Sequence, residues 1–139
     1  MRLLTALLTA VALAGAPSCA LLNQAAESAE TAADTLRDAA LALELLDALA
    51  IGYADHGLPT PDELSSLASI VENLGTAHDA LQAARSELKS GHVFDGAEQL
   101  RKALSAMDKA ANELETLGVD VGKAREALQS AERLLEHLR

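Results

Sequence analysis

Apolar and alanine side chains recur along this chain at alternating steps of three and four. That rhythm admits little besides helices packed on helices. From Leu22 through Ala25, Ala29, Ala32, Leu36, Ala39, Leu43, Leu46 and Ala50 to Tyr53 it runs unbroken. It resumes at Leu67, Ile70, Leu74, Ala77, Leu81, Ala84 and Leu88, then at Leu100, Ala103, Met107, Ala110, Leu114 and Leu117. A last set is Val121, Ala124, Leu128, Ala131, Leu135 and Leu138. No stretch alternates at period two, so no strand is predicted.

The interruptions fall where helices should end. Gly57-Leu58-Pro59 closes the first, and Thr60-Pro61-Asp62-Glu63 reads as a capping box with proline at the first helical position. Asp95 with Glu98 predicts a second box, Gly118 a C-terminal glycine, and Asp120 the cap of a fourth helix. The spacing thus predicts helices over 21–54, 61–89, 96–117 and 121–139. Short connections favour antiparallel neighbours, so the expected fold is all-α, an up-down bundle of about four helices. Leu74 and Leu114, each mid-helix on its seam, should be deeply buried. Leu41, Leu45, Leu49 and Ile51 make residues 39–54 apolar almost all round, which calls for partners on several sides. Residues 19–35 hold no large apolar residue after Leu22 and are read as an Ala-rich helical stalk ahead of a bundle domain over 36–139. The alternative is that their alanines simply pack on a neighbouring helix. The stretch 87–104, ELKSGHVFDGAEQLRKAL, is similar to the hairpin of a tetratricopeptide unit, but its turn is one residue longer and the large aromatics are missing. No 34-residue repeat accompanies it, so it is read as a generic helical hairpin.

Charge narrows the partners. The chain carries a net charge of −10, and the acids are uneven: Cys19 to Ala84 holds 11 acidic residues against Arg37 alone, whereas Arg85 to Arg139 holds 10 acidic and 9 basic. An acidic surface repels phosphates, which argues against nucleic acid. One Tyr, one Phe and no Trp leave no stacking platform for single strands or sugars.

The chain opens with Met1-Arg2, an uncharged Leu/Ala run from Leu3 to Ala16, and small residues up to its single cysteine, Cys19. That is the order of a secretory signal, and the run is too short to cross a bilayer. Ala16-Pro17-Ser18-Cys19 resembles the lipobox of bacterial lipoproteins, with Ala16 in the usual leucine position and Pro17 an unusual occupant. The resemblance implies removal of residues 1–18 and acylation of Cys19, which then begins the mature protein. It places the chain in the bacterial cell envelope. Ala20 is not the Asp that favours inner-membrane retention in enteric lipoproteins, so the outer membrane is expected over the inner. A secreted or periplasmic protein is the alternative. Lipidation also removes the liability of an odd cysteine in an exported chain.

Sites for chemistry are sparse. The histidines are His56, His78, His92 and His137, and none stands in a Glu-x-x-His, His-x-x-x-His or HExxH spacing. No phosphate loop or nucleophile motif occurs. No cofactor, metal or catalytic residue is therefore expected, and no enzyme. His78 flanks the apolar stripe one heptad after Val71, and a metal or proton role for it would need a carboxylate brought from another helix. Glu27, Glu30 and Asp34, with Asp38 and Glu44 nearby, form a candidate acidic face for a basic partner, unless they are only a solvated helix face. The later half should instead be laced by pairs such as Glu98–Lys102 and Lys109–Glu113. The expected function is that of a membrane-anchored envelope lipoprotein, a structural or protein-interaction module without catalysis that binds another envelope protein. Two alternatives stay open: a carrier of a small apolar ligand between helices, and a prophage-encoded surface exclusion or immunity lipoprotein. Against the carrier, alanine seams let helices approach closely and leave little cavity.

Overall fold

The structure, a computed structural model, describes residues 19–57 and 59–138, with side chains from residue 30 onward. The expected signal segment, 1–18, lies outside the described residues. Four helices follow in order: α1 (Cys19–Ala54), α2 (Pro61–Lys89), α3 (Val93–Thr116) and α4 (Gly122–Glu136). Among the described residues there is no strand. None of the described helices is long and apolar enough to cross a membrane.

The heptad seams are the core. Every described seam residue is buried or half-buried, and Leu46, Ile70, Leu100, Met107, Leu114 and Leu128 are among the largest fully enclosed side chains. Leu74 is buried as expected. Alanines fill the second face of the inner helices: Ala80, Ala97, Ala106 and Ala111 are buried beside the seams. Small side chains allow helix axes to approach to the short end of the usual 8–10 Å range.

Cross-helix bonds fix the directions. Tyr53 reaches Glu63 and Asp47 reaches His78, so α1 and α2 are antiparallel. Ser69 and Asn73 reach Glu113 across α2 and α3, Arg125 reaches Asp108 across α3 and α4, and Ser130 reaches Asp38 across α4 and α1. The bundle is up-down. Its most extensive interface joins α2 to α3; α1 with α4 comes next, and α1 touches α2 and α3 less.

The turns explain the boundaries. At the α2–α3 turn, His92 N–H donates to Glu87 C=O (2.8 Å) and Gly91 N–H to Leu88 C=O (3.1 Å), with Gly91 at φ +83°. This is a Schellman motif, and its left-handed position suits glycine. The α3–α4 turn repeats it at Gly118, φ +87°, with Val119 N–H donating to Leu114 C=O. Thr60 caps α2 as expected by accepting the Glu63 N–H (3.2 Å). The Glu63 carboxylate accepts the Thr60 hydroxyl and the Tyr53 hydroxyl. Asp120 accepts the Gly122 N–H (3.0 Å), but the N-cap position of α4 is Val121, so Asp120 stands one residue before the expected cap.

Three expectations are corrected. Helix α3 begins at Val93, not 96, because the compact Schellman turn already points the chain back and lets Val93 pack on the core. Asp95 therefore lies inside the first turn and is no cap; Glu98 pairs with Arg101, three residues on, and Glu113 is taken by Ser69 and Asn73. Leu41 and Ile51 are exposed, so residues 39–54 are not enclosed on all sides. Apart from these corrections, Ala32 and Thr35 are buried, Thr35 completely, with its hydroxyl donating to Thr31 C=O (2.6 Å). The packed part of α1 thus reaches back into the 19–35 segment read as a stalk.

Candidate functional site

Between α1 and α2 lies a cleft of about 590 Å³. Glu44 and Asp47 line it from α1, and His78, Gln82 and Arg85 from α2, over a floor of Leu43 and Leu81. The local reason is a change in the residues beside the seams. Where α2 meets α3 the flanking positions are largely alanine, with Ser69 and Asn73 bonded to Glu113; where it meets α1 they are long or charged. Charged heads keep their water, so the helices close less fully above the leucine floor.

Asp47 Oδ2 lies 2.7 Å from His78 Nε2, and the pair is charge-assisted when the imidazole is protonated. Glu44 adds a second carboxylate, and Arg85 and Gln82 offer donors opposite. Among the described residues, no hydroxyl or thiol lines this cleft. The arrangement can hydrogen-bond and ion-pair with polar groups of a bound molecule.

Toward the α1–α2 connection the helix faces that bear the cleft change character. Leu64 and Val71 precede His78 at heptad steps on the same face of α2, while Ile51 follows Asp47 on α1. These side chains are exposed: Leu64 by 54 %, Ile51 by 62 % and Val71 by 63 %. At the far end Tyr53 donates its hydroxyl to Glu63 Oε2 (2.8 Å). That hydrogen bond, then partial burial and the carboxylate's charge, holds the Tyr53 phenol above its ordinary pKa. Across the molecule, burial and then the nearby Asp108 push the Glu132 carboxyl up, opposed by Arg125.

Of the five acids expected to form one face, Asp34, Asp38 and Glu44 have different neighbours. The side chains of Cys19 and Glu27 lie outside the described residues. Glu30 is exposed, and Asp34 pairs with Arg37. Asp38 turns to α4, where it accepts the Ser130 hydroxyl (2.6 Å). Glu44 turns to α2 and lines the cleft. At about 100° per residue, positions 38 and 44 are already far apart around the axis.

Asp47 was not singled out by sequence reasoning, although it is the carboxylate from another helix that His78 needs. No local spacing could reveal a pair separated by 31 positions. The available signal was the hairpin itself: folding α1 back at Gly57-Leu58-Pro59 brings the two positions to similar heights. No protein-family model, curated protein or solved structure matches the chain.

Proposed function

We propose that this chain is an envelope lipoprotein, held to a bacterial membrane through acylated Cys19, whose bundle is a non-catalytic protein-interaction module. The outer membrane is its expected site. The anchor rests on the order of the first residues: a basic start, an apolar run, and a lipobox-like Ala16-Pro17-Ser18-Cys19. Acyl chains contribute about 0.8 kcal/mol per buried CH2, so a multiply acylated cysteine is a firm tether.

The observation that carries the interaction reading is the α1–α2 groove. Three large apolar side chains stand in water next to a cleft rich in charge. Single exposed leucines are ordinary, but apolar residues continuing a polar groove at heptad spacing suit a partner helix or loop. The partner's expected chemistry is apolar side chains flanked by basic ones, matching the acidic first half of the chain.

The experiment has two arms. The intact mass of membrane-extracted protein should begin at Cys19 and carry acyl mass, and Cys19→Ser should release the protein from the membrane. Crosslinking in native envelopes should capture a specific partner that is lost on Ile51→Ser with Val71→Ser and weakened by Glu44→Gln. A mature species starting after Cys19 and free in the medium refutes the anchor. Identical crosslinks from all variants refute the groove as the contact. The variant Glu27→Gln, Glu30→Gln, Asp34→Asn asks the same of the upper part of α1.

A further inference from the structure

A second cluster of side chains lies around the turn from α2 into α3, and none of its residues lines the cleft. Glu87 stands in the last turn of α2, His92 follows the turn glycine, and Asp95 is in the first turn of α3. One ligand atom from each lies within 4.8 Å of the other two, and His92 Nδ1 is 2.8 Å from Glu87 Oε2. We propose that Glu87, His92 and Asp95 form a surface site for a divalent transition-metal cation of the zinc type. The proposed function assigns no ion to the bundle, so this reading stands independently of it.

Three features point to a cation. The donor set, one imidazole and two carboxylates, is of the kind that zinc and its neighbours accept. Bonds of about 2.0–2.2 Å in a tetrahedral arrangement place ligand atoms roughly 3.3 Å apart, so small side-chain rotations close the set around an ion. The backbone already holds the histidine: the Schellman bond from His92 N–H to Glu87 C=O ties two of the three ligand residues together.

Charge argues the same way. Among the described residues, no lysine or arginine pairs with either carboxylate, and Glu87 faces His92. Glu87 also sits at the negative end of the α2 dipole, where a carboxylate is disfavoured. A bound cation relieves both. All three residues are at least partly exposed, so solvent can supply the remaining ligand.

The sequence signal is weak because the spacing Glu-x4-His-x2-Asp follows no helical motif. It becomes a site only because the turn folds one helix end onto the next. A cation there would link the end of α2 to the start of α3. Its ligand nitrogen must be free of its proton, so binding weakens in acid.

The test uses the full chain, stripped with chelator and titrated with Zn²⁺ near neutral pH. Calorimetry should give one Zn²⁺ per chain, and thermal unfolding followed by circular dichroism should move to higher temperature as Zn²⁺ rises. His92→Gln should weaken binding by about ten-fold or more, with Glu87→Gln and Asp95→Asn each weakening it. These side chains are exposed or half-buried, and unchanged helicity confirms that the variants fold. His78→Gln should bind as wild type does, and Mg²⁺ should give no shift, since it avoids imidazole. No binding up to millimolar Zn²⁺, unchanged binding by His92→Gln, or loss on His78→Gln instead overturns the proposal.

Discussion

Helix α2 is shared by two hairpins, and they are built differently. Toward α3 it presents mainly alanine, with Ser69 and Asn73 bonded to Glu113, and the turn is a Schellman motif with its carbonyls satisfied. There Gly96 is so close to Leu88 that an added Cβ would stand 2.5 Å from Leu88 Cγ. Toward α1 it presents His78, Gln82 and Arg85 against Glu44 and Asp47, and the interface opens into a cleft. Both sides carry the same heptad seam. The residues beside a seam, more than the seam itself, therefore decide whether two helices close or leave a usable groove. One side of α2 holds the fold, and the other is left available.

The largest effect that could break this contrast lies on the closed side. Leu114 on α3 is fully buried, and Leu114→Ala should lower unfolding free energy by roughly 2–5 kcal/mol in denaturant titration of the chain. The alanine-rich surroundings have little side-chain length with which to fill the hole. Gly96→Ala comes next. It gains about 0.5–1 kcal/mol of helix preference but forces Leu88 aside in a packed interface, at about 1–3 kcal/mol. The expected net is destabilisation of about 1 kcal/mol, and a more stable variant would show the hairpin to be looser than described. On the open side, Asp47→Asn should change stability by less than about 1 kcal/mol, because the pair with His78 is solvent-facing. A loss as large as that of Leu114→Ala would erase the distinction.

The smallest effect is spectroscopic. Tyr53 is the only tyrosine and there is no tryptophan, so absorbance near 295 nm reports one phenol. Its pKa should lie above the ordinary value of about 10, and Glu63→Gln should bring it down. Because the folded pKa is raised, the stability that this hydrogen bond contributes is present below that ordinary value. It is lost as pH rises through the raised one.

Much of the fold was legible because seam periodicity, glycine turns and the Thr60 cap are local signals. The described seam residues from Ala32 to Leu138 lie in or against the core, except Tyr53 and Leu67, which are half-buried at the α1–α2 end. The start of α3 was misplaced because Asp95 and Glu98 carry a good capping pattern that the turn geometry overrides. Asp38 and Glu44 go to different neighbours because helical phase separates them, and the neighbours on each side could not be read from α1 alone. Asp47–His78 and Glu87–His92–Asp95 were invisible for a related reason. Each depends on how a hairpin folds back, and the residue list does not give the height at which positions meet.

The pairing of α1 with α4 has a further consequence, for the order of assembly. Leu88 and Gly96 meet across a connection of a few residues, but Asp38 and Ser130 are separated by 92 positions. Closing a longer loop costs more entropy before any contact repays it, so the α2–α3 hairpin forms early and the α1–α4 contact late. During synthesis α1 emerges ahead of the other three helices, yet its most extensive interface is with the last of them. For that interval the alanine and leucine seam of α1 has no finished surface to lie on. A chain stalled before Gly122 would carry this seam exposed, open to chaperones or to the same seam of another copy.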